Sequence, residues 1–240
     1  MTQPLAGRTA VITGASRGIG AATARALARA GARVALLARS TSRLEALVSE
    51  LPGNPVVAAA DLTDSAAVSV AVARINKAFG GAPDILVNNA GIFRPASVEN
   101  TSPEEFSAAV ELNLVAPFLL VRALLPAMLA RGTGHIVTIG SVADRQAFSE
   151  NAAYSASKYG VRGLHEVLRV EIRHSGVRAT LVAPGAVDTP IWDDVPKDAG
   201  GGRFPPRSQM LSPIAVADAI LFALTRPPDV NIDELRLTRT

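Results

Sequence analysis

The chain has 240 residues, 48% of them hydrophobic, with a mean hydropathy of +0.26, which excludes a disordered polypeptide and supplies enough apolar side chain for a buried core. It has no cysteine, which removes disulfides, thiol nucleophiles and cysteine-based zinc sites. The net charge is +3, carried mostly by arginines scattered without interleaved aromatics, so a nucleic-acid partner is not expected, whereas an anionic small molecule suits the balance.

The opening residues carry no basic stretch leading into an apolar segment and a cleavage site, and the sequence reads as lacking an apolar run of about 18 residues. A cytoplasmic protein without membrane contact is therefore expected. Residues 8–14 (RTAVITG) form a short β-branched run ending in glycine, and an alanine-rich helical stretch follows from Gly18 to Ala30. Residues 33–39 (RVALLAR) are the next apolar run, followed by a helical stretch from Ser42 to Leu51. Residues 55–62, 84–91, 134–141 and 177–185 repeat the theme; each is too short for a core helix and is bounded by turn residues. Ser102, Pro103 and Glu105 spell a capping box, and Pro117 is expected to break or kink the segment that begins there. Residues 190–212, rich in proline and holding three consecutive glycines, are expected to form a mobile loop that shapes a substrate pocket together with 92–99 and 142–151. Ser212 and Pro213 open the last helix, and 230–237 (VNIDELRL) close the chain as a strand.

Strands buried on both faces and separated by helices predict a parallel sheet covered on both sides. Right-handed crossovers then give a doubly wound α/β fold. No linker is long enough to divide the chain, so one domain over 1–240 is expected.

Gly14, Gly18 and Gly20 lie directly after the first strand and at the start of the first helix. Glycine allows close backbone approach, and a helix N-terminus offers free N–H groups to an anion, so a pyrophosphate fits there. After the second strand the sequence reads Leu37-Ala38-Arg39-Ser40, without a carboxylate. An acid there would serve the ribose 2′-hydroxyl of NAD, whereas arginine suits a 2′-phosphate. Arg39, with Ser40 donating and Arg17 as a second cation, therefore predicts NADP(H).

Tyr154 and Lys158 stand one helical turn apart and share a face. Such a pair in isolation is most often solvated surface. A free phenol has a pKa of about 10 and is a poor base near neutrality; a cation beside it is expected to lower that value. Ser141 ends a strand, where ligands of open α/β sheets bind.

Thr13-Gly-x-x-x-Gly-x-Gly20, Asn88-Asn-Ala-Gly91, Ser141, Tyr154-x-x-x-Lys158 and Pro184-Gly185 occur in the order and spacing of the short-chain dehydrogenase/reductase family, which the chain resembles over nearly its whole length. Its ending further resembles NADP-dependent reductases and 3-hydroxy acid (serine-type) dehydrogenases. The resemblance implies a Rossmann fold with a parallel seven-stranded sheet in the order 3-2-1-4-5-6-7. It implies a homo-oligomer, dimer or tetramer, that transfers a hydride between NADP(H) and a small-molecule carbonyl or secondary alcohol, as a carbonyl reductase does. Tyr154 would be the general acid/base, Ser141 would hold the substrate oxygen, and Lys158 would also bind the nicotinamide ribose. Asn113 would steady the lysine through water, or be a satisfied structural amide. The implied cofactor contacts are Gly14, Ser16, Arg17, Gly18, Ile19 and Gly20 in the first turn, with Arg39 and Ser40 after the second strand. Asp61 and Leu62 would meet the adenine. Asn89, Ala90 and Gly91 follow the fourth strand, and Pro184, Gly185, Val187 and Thr189 follow the sixth. Asn88 and Asn89 could equally be structural braces.

Tyr159 reads as a core residue. His135, His165 and His174 lack metal-ligand spacing, and Asp193 with Asp194 reads as a solvated pair, so no metal is expected. Trp192 is either a lid contact with substrate or loop packing. Arg94 or Arg145 could receive a substrate carboxylate. The alternative reading is a dinucleotide-sensing regulator without chemistry.

Overall fold

The computed structural model describes residues 3–195 and 204–240. The apolar runs become seven strands: β1 (Thr9–Thr13), β2 (Arg33–Ala38), β3 (Val56–Ala59), β4 (Ile85–Asn88), β5 (Gly134–Ile139), β6 (Val177–Pro184) and β7 (Glu234–Leu237). They form one sheet in the order β3-β2-β1-β4-β5-β6-β7, and every neighbouring pair is parallel. The helices are α1 (Gly18–Arg29), α2 (Thr41–Val48), α3 (Ser65–Phe79), α4 (Pro103–Val110), α5 (Ala116–Arg131), α6 (Ala152–Glu171) and α7 (Pro213–Leu224).

The period-2 alternation of each strand sorts its side chains into two cores. Ala10 and Ile12 of β1 pack with Leu27 of α1, Leu44 of α2 and Ile220 of α7. Val11, between them, faces the opposite layer with Val68 of α3, Leu124 of α5 and Leu168 of α6. Each fully buried leucine or isoleucine contributes about 1.5–3 kcal/mol relative to exposure. The order reverses between β1 and β4, so the loops leaving these strands run apart and open a crevice at their carboxyl ends.

The helix starts follow their side chains. Asp64 accepts from the N–H groups of Ala66 and Ala67 at the head of α3, Ser102 and Glu105 make the expected capping box, and Ser212 caps α7. Pro117 does not break its segment. Helix α4 passes through a widened turn, Glu111–Val115, directly into α5, and Pro117 sits in the first turn of α5. The wider ladder, with the Ala116 N–H reaching Glu111, accommodates a ring that a regular helix would clash with. The continuous helix Pro103–Arg131 is also long and apolar enough to cross a membrane by length and composition. Glu104, Glu105, Glu111 and Arg122 mask that run in the sequence. In the fold Leu120, Leu124 and Met128 of this helix are core residues.

Tyr159 is a second correction: it is 47% exposed. Five residues along a helix turn it about 140° from Tyr154, away from the sheet. Of the expected mobile loop, residues 196–203 lie outside the described residues. Its flanks are ordered by Arg207, which donates to the Thr189 carbonyl at 2.7 Å and pairs with Asp188 at 2.6 Å and Asp193 at 3.3 Å.

Candidate active site

The glycine turn is shaped by close approach. Gly14 has φ +63°, and a Cβ there would lie 2.8 Å from the Ala90 Cα; a Cβ on Gly20 would lie 2.3 Å from the Gly14 carbonyl oxygen. Thr13 and Asn89 fasten the ends of β1 and β4 together. The Thr13 hydroxyl accepts from the N–H groups of Asn89 and Ala90 at 2.9 and 3.0 Å, and Asn89 Nδ2 donates to the Thr13 carbonyl at 2.8 Å. Asn88 is buried beside it and does not line the crevice. Arg17, the N-cap of α1, makes no side-chain cap, and the first turn holds no acid. The leading N–H groups of α1 therefore lack a side-chain acceptor and face the crevice as an anion cradle.

At one end of the crevice stand Arg17, Arg39 and Arg43; the sequence reading did not register Arg43. The Ser40 hydroxyl caps α2, accepting from the Arg43 N–H at 3.5 Å. Asp61 accepts from the Thr63 N–H and hydroxyl at 3.0 and 2.8 Å. Those bonds, aided by Arg39, hold its carboxyl below the usual range.

At the other end Ser141, at the tip of β5, accepts from the Ala143 N–H at 3.1 Å. Lys158 Nζ donates to the Ile139 carbonyl at 2.8 Å and lies 5.6 Å from the centre of the Tyr154 ring. The two side chains therefore meet on one side of α6, beside Ser141. Withdrawal from water raises the Tyr154 phenol above its ordinary value; the Ser141 hydroxyl opposes this, and the Asp144 charge adds to it. The same withdrawal lowers Lys158 to about 8, with Asp144 acting in the opposite sense. The expected lowering of the phenol by Lys158 does not appear: burial sets the direction of the shift, and Lys158 is not among the groups that move it.

Asp144 is fully buried and accepts from Arg145 Nε at 2.9 Å; Arg145 also pairs with Glu234 of β7 at 2.7 Å. Arg145 is therefore held by two carboxylates rather than offered to a substrate, whereas Arg94 lines the crevice. Asn113, in the widened turn, is 1% exposed and does not line the crevice. It accepts from the Ile92 N–H at 2.8 Å and donates to the Ile92 carbonyl and Ser157 Oγ, each at 3.0 Å. Its amide braces the loop after β4 against α6, between Tyr154 and Lys158.

Phe93, Trp192 and Phe204 lie in segments expected to shape the pocket, but the sequence does not show that they join in one aromatic wall. Phe93 packs edge-on against Tyr154 at 4.9 Å and Trp192 at 5.1 Å between ring centres, and Phe204 joins both Phe93 and Trp192. The Trp192 indole N–H is fixed on the Val187 carbonyl at 3.0 Å.

One crevice of about 860 Å³ unites these parts. Gly14, Ser16, Gly18 and Ile19 line it, as do Leu62, Asn89, Ala90 and Gly91. Ser141, Tyr154 and Lys158 line it with Pro184, Gly185, Val187 and Thr189. Gly20 stands behind the wall, where it lets Gly14 take its place. Among the described residues, no group of three or more histidines and carboxylates is placed to hold a metal.

The family model for short chain dehydrogenases matches residues 8–200. An uncharacterised oxidoreductase of Staphylococcus haemolyticus is 36% identical over 232 residues, 96% of each protein. A metagenomic short-chain oxidoreductase, crystallised with NADP, superposes with a TM-score of 0.85 at 37% identity, covering 99% of each chain. An alcohol dehydrogenase of Thermococcus sibiricus, crystallised with 5-hydroxy-NADP, gives a TM-score of 0.86 at 33% identity over 97% of each. On sequence, topology and the order of its strand-end residues, this chain belongs to the short-chain dehydrogenase/reductase family.

Proposed function

We propose that the protein is an NADP(H)-dependent oxidoreductase that reduces a small-molecule carbonyl, or oxidises the matching secondary alcohol. The observation that carries this reading is that Ser141, Tyr154 and Lys158 line the same crevice as a glycine turn suited to a pyrophosphate. The fit to a dinucleotide rests on the chain itself: positions where a Cβ would collide, an α1 N-terminus without a side-chain acceptor, and Arg39 and Arg43 where an acid would serve NAD. Ser16, Arg17, Gly18 and Ile19 would hold the pyrophosphate; Arg39, with Ser40, the 2′-phosphate; Asp61 and Leu62 the adenine. Asn89 to Gly91, Pro184, Gly185, Val187 and Thr189 would line the path to the nicotinamide, with Lys158 at its ribose. The known NADP complexes of two similar structures support the same choice.

A reduced nicotinamide, when bound, would supply the hydride for the carbonyl carbon. Tyr154 gives its phenolic proton to the carbonyl oxygen, which the Ser141 hydroxyl holds. Lys158, as the ammonium, stabilises the phenolate left behind. In oxidation Tyr154 takes the proton back. Burial raises the phenol, so it holds the proton that it gives in reduction. Asn113 holds α6 and the loop after β4 in register, a positioning role.

The same reading has the protein act in the cytoplasm as one domain and as a homo-oligomer, dimer or tetramer. The exposed Phe106, Phe118 and Tyr159 on α4, α5 and α6 support subunit contact, which sedimentation would measure. The reaction is tested by following NADPH consumption with ketones, aldehydes and the oxidised forms of hydroxy acids. Turnover on at least one class is expected; binding of NADPH with no turnover on any class would favour the sensing regulator.

A further inference from the structure

The chain has one tryptophan, two tyrosines and seven phenylalanines, yet Phe93, Phe148, Tyr154, Trp192 and Phe204 all line one crevice. Phe93, Trp192 and Phe204 form three mutually edge-on pairs at 5.1–5.7 Å, and Phe93 carries this wall onto Tyr154. Ile92, Leu112, Val142 and Ile191 line the same crevice. The wall is held in place rather than collapsed by chance: Trp192 is pinned through its indole N–H to Val187, and Arg207 ties Thr189 to the segment after Phe204.

Charge is arranged to leave this end apolar. Asp188 and Asp193 both pair with Arg207, and neither lines the crevice. Arg145 is held by Asp144 and Glu234. Lys158 is buried and bonded to Ile139. Arg94 is exposed at the rim, where solvent screens its charge. The one buried cation lining the crevice among the described residues, Lys158, is already bonded to the Ile139 carbonyl, whereas a flat ring would meet aromatic edges and faces.

We propose that the substrate is an uncharged ketone or aldehyde bearing an aromatic or comparably broad apolar group next to the carbonyl, stacked on the Phe93–Trp192–Phe204 wall, and not a hydroxy acid. The inference rests on the oxidoreductase reading above and deepens it. The carbonyl then points to Tyr154 and Ser141 while the ring lies against Phe93.

Two measurements on the NADPH-bound enzyme test it. The first is steady-state reduction of an aryl methyl ketone, a short aliphatic ketone and a 3-oxo acid. The aryl ketone is expected to have the highest kcat/KM, and Phe204→Ala, which leaves Tyr154's own ring contact intact, is expected to lower that value about tenfold more than it lowers the value for the aliphatic ketone, chiefly through KM. The second is emission from Trp192, the sole tryptophan, during titration with the aryl carbinol product. A saturable change is expected, and it is expected to persist in Tyr154→Phe. Preference for the 3-oxo acid with loss of that preference in Arg94→Ala, or no emission change with the carbinol, overturns the inference. Normal turnover by Tyr154→Phe instead overturns the reaction mechanism, while the emission titration still reports whether the ring binds at the wall.

Discussion

Asn113 is the joint between the widened helix turn and the reacting groups, and its removal has a calculable cost. In Asn113→Ala the Ile92 N–H and carbonyl lose partners at 2.8 and 3.0 Å, and Ser157 Oγ loses a donor at 3.0 Å. A buried polar group left without a partner costs about 1–3 kcal/mol. Two backbone groups are stranded, and Ile92 is only partly buried, so water recovers some of the loss; we expect about 2–4 kcal/mol of destabilisation. Asn113→Asp is the sharper variant. It keeps the acceptor for the Ile92 N–H but sets a carboxylate oxygen against the Ile92 carbonyl and removes the donor to Ser157. It should therefore be no more stable than Asn113→Ala at neutral pH, and should recover as acid protonates the carboxyl. Urea unfolding at fixed pH reads both values from the midpoint and slope. Because Ser157 in turn donates to the Tyr154 carbonyl at 2.7 Å, turnover should fall more than NADPH affinity does. Variants within about 0.5 kcal/mol of the parent, the range of ordinary surface changes, would refute the bracing role.

Acid should destabilise the protein through two buried histidines. Burial lowers His135 to about 3 and His165 to about 4, below the ordinary 6.5 retained by the unfolded chain. The unfolded state therefore binds the extra protons, so this stability is fully present above pH 6.5 and lost as pH falls. At pH 5 the loss is about 2 kcal/mol per histidine, and urea melts of His135→Asn at pH 8 and pH 5 should show a shallower acid loss than the parent. Gly20→Ala should weaken NADPH binding by about tenfold or more, since its Cβ would meet the Gly14 carbonyl oxygen at 2.3 Å. Gly163→Ala in α6, with nothing within 4 Å of the added Cβ, should instead raise stability by about 0.5–1 kcal/mol on helix propensity; calorimetry with and without NADPH separates the two. NADP should bind about tenfold or more tightly than NAD, and Arg39→Ala should remove the difference; equal affinities in the parent would contradict the reading of that arginine.

The sheet was legible because each strand announces itself as a short apolar run closed by a turn residue, and because Gly14 and Gly20 have few substitutes where backbones approach this closely. The capping box at Ser102 and the cap at Ser212 were legible for the same local reason. The widened turn was not. A proline in a helical pattern looks like a break, and only the folded ladder, with the Ala116 N–H reaching the Glu111 carbonyl, shows the helix absorbing it. Tyr159 misled because an aromatic beside a functional tyrosine invites a core assignment, although helix geometry turns it outward. The aromatic wall joins Phe93 to Trp192 and Phe204, far apart in sequence, so no window of residues contains it. The direction of the Tyr154 shift depends on a balance of burial, the Ser141 hydroxyl and Asp144, and that balance exists only once the chain is folded.

The account stands on Tyr154 as the group that exchanges a proton with the carbonyl beside the nicotinamide. Single-turnover reduction by Tyr154→Phe, measured alongside NADPH affinity, tests it most directly. The account predicts loss of about three orders of magnitude in the chemical step, within the range for a positioned acid, with NADPH affinity changed by less than about threefold, under 1 kcal/mol. Undiminished turnover in that variant would contradict it.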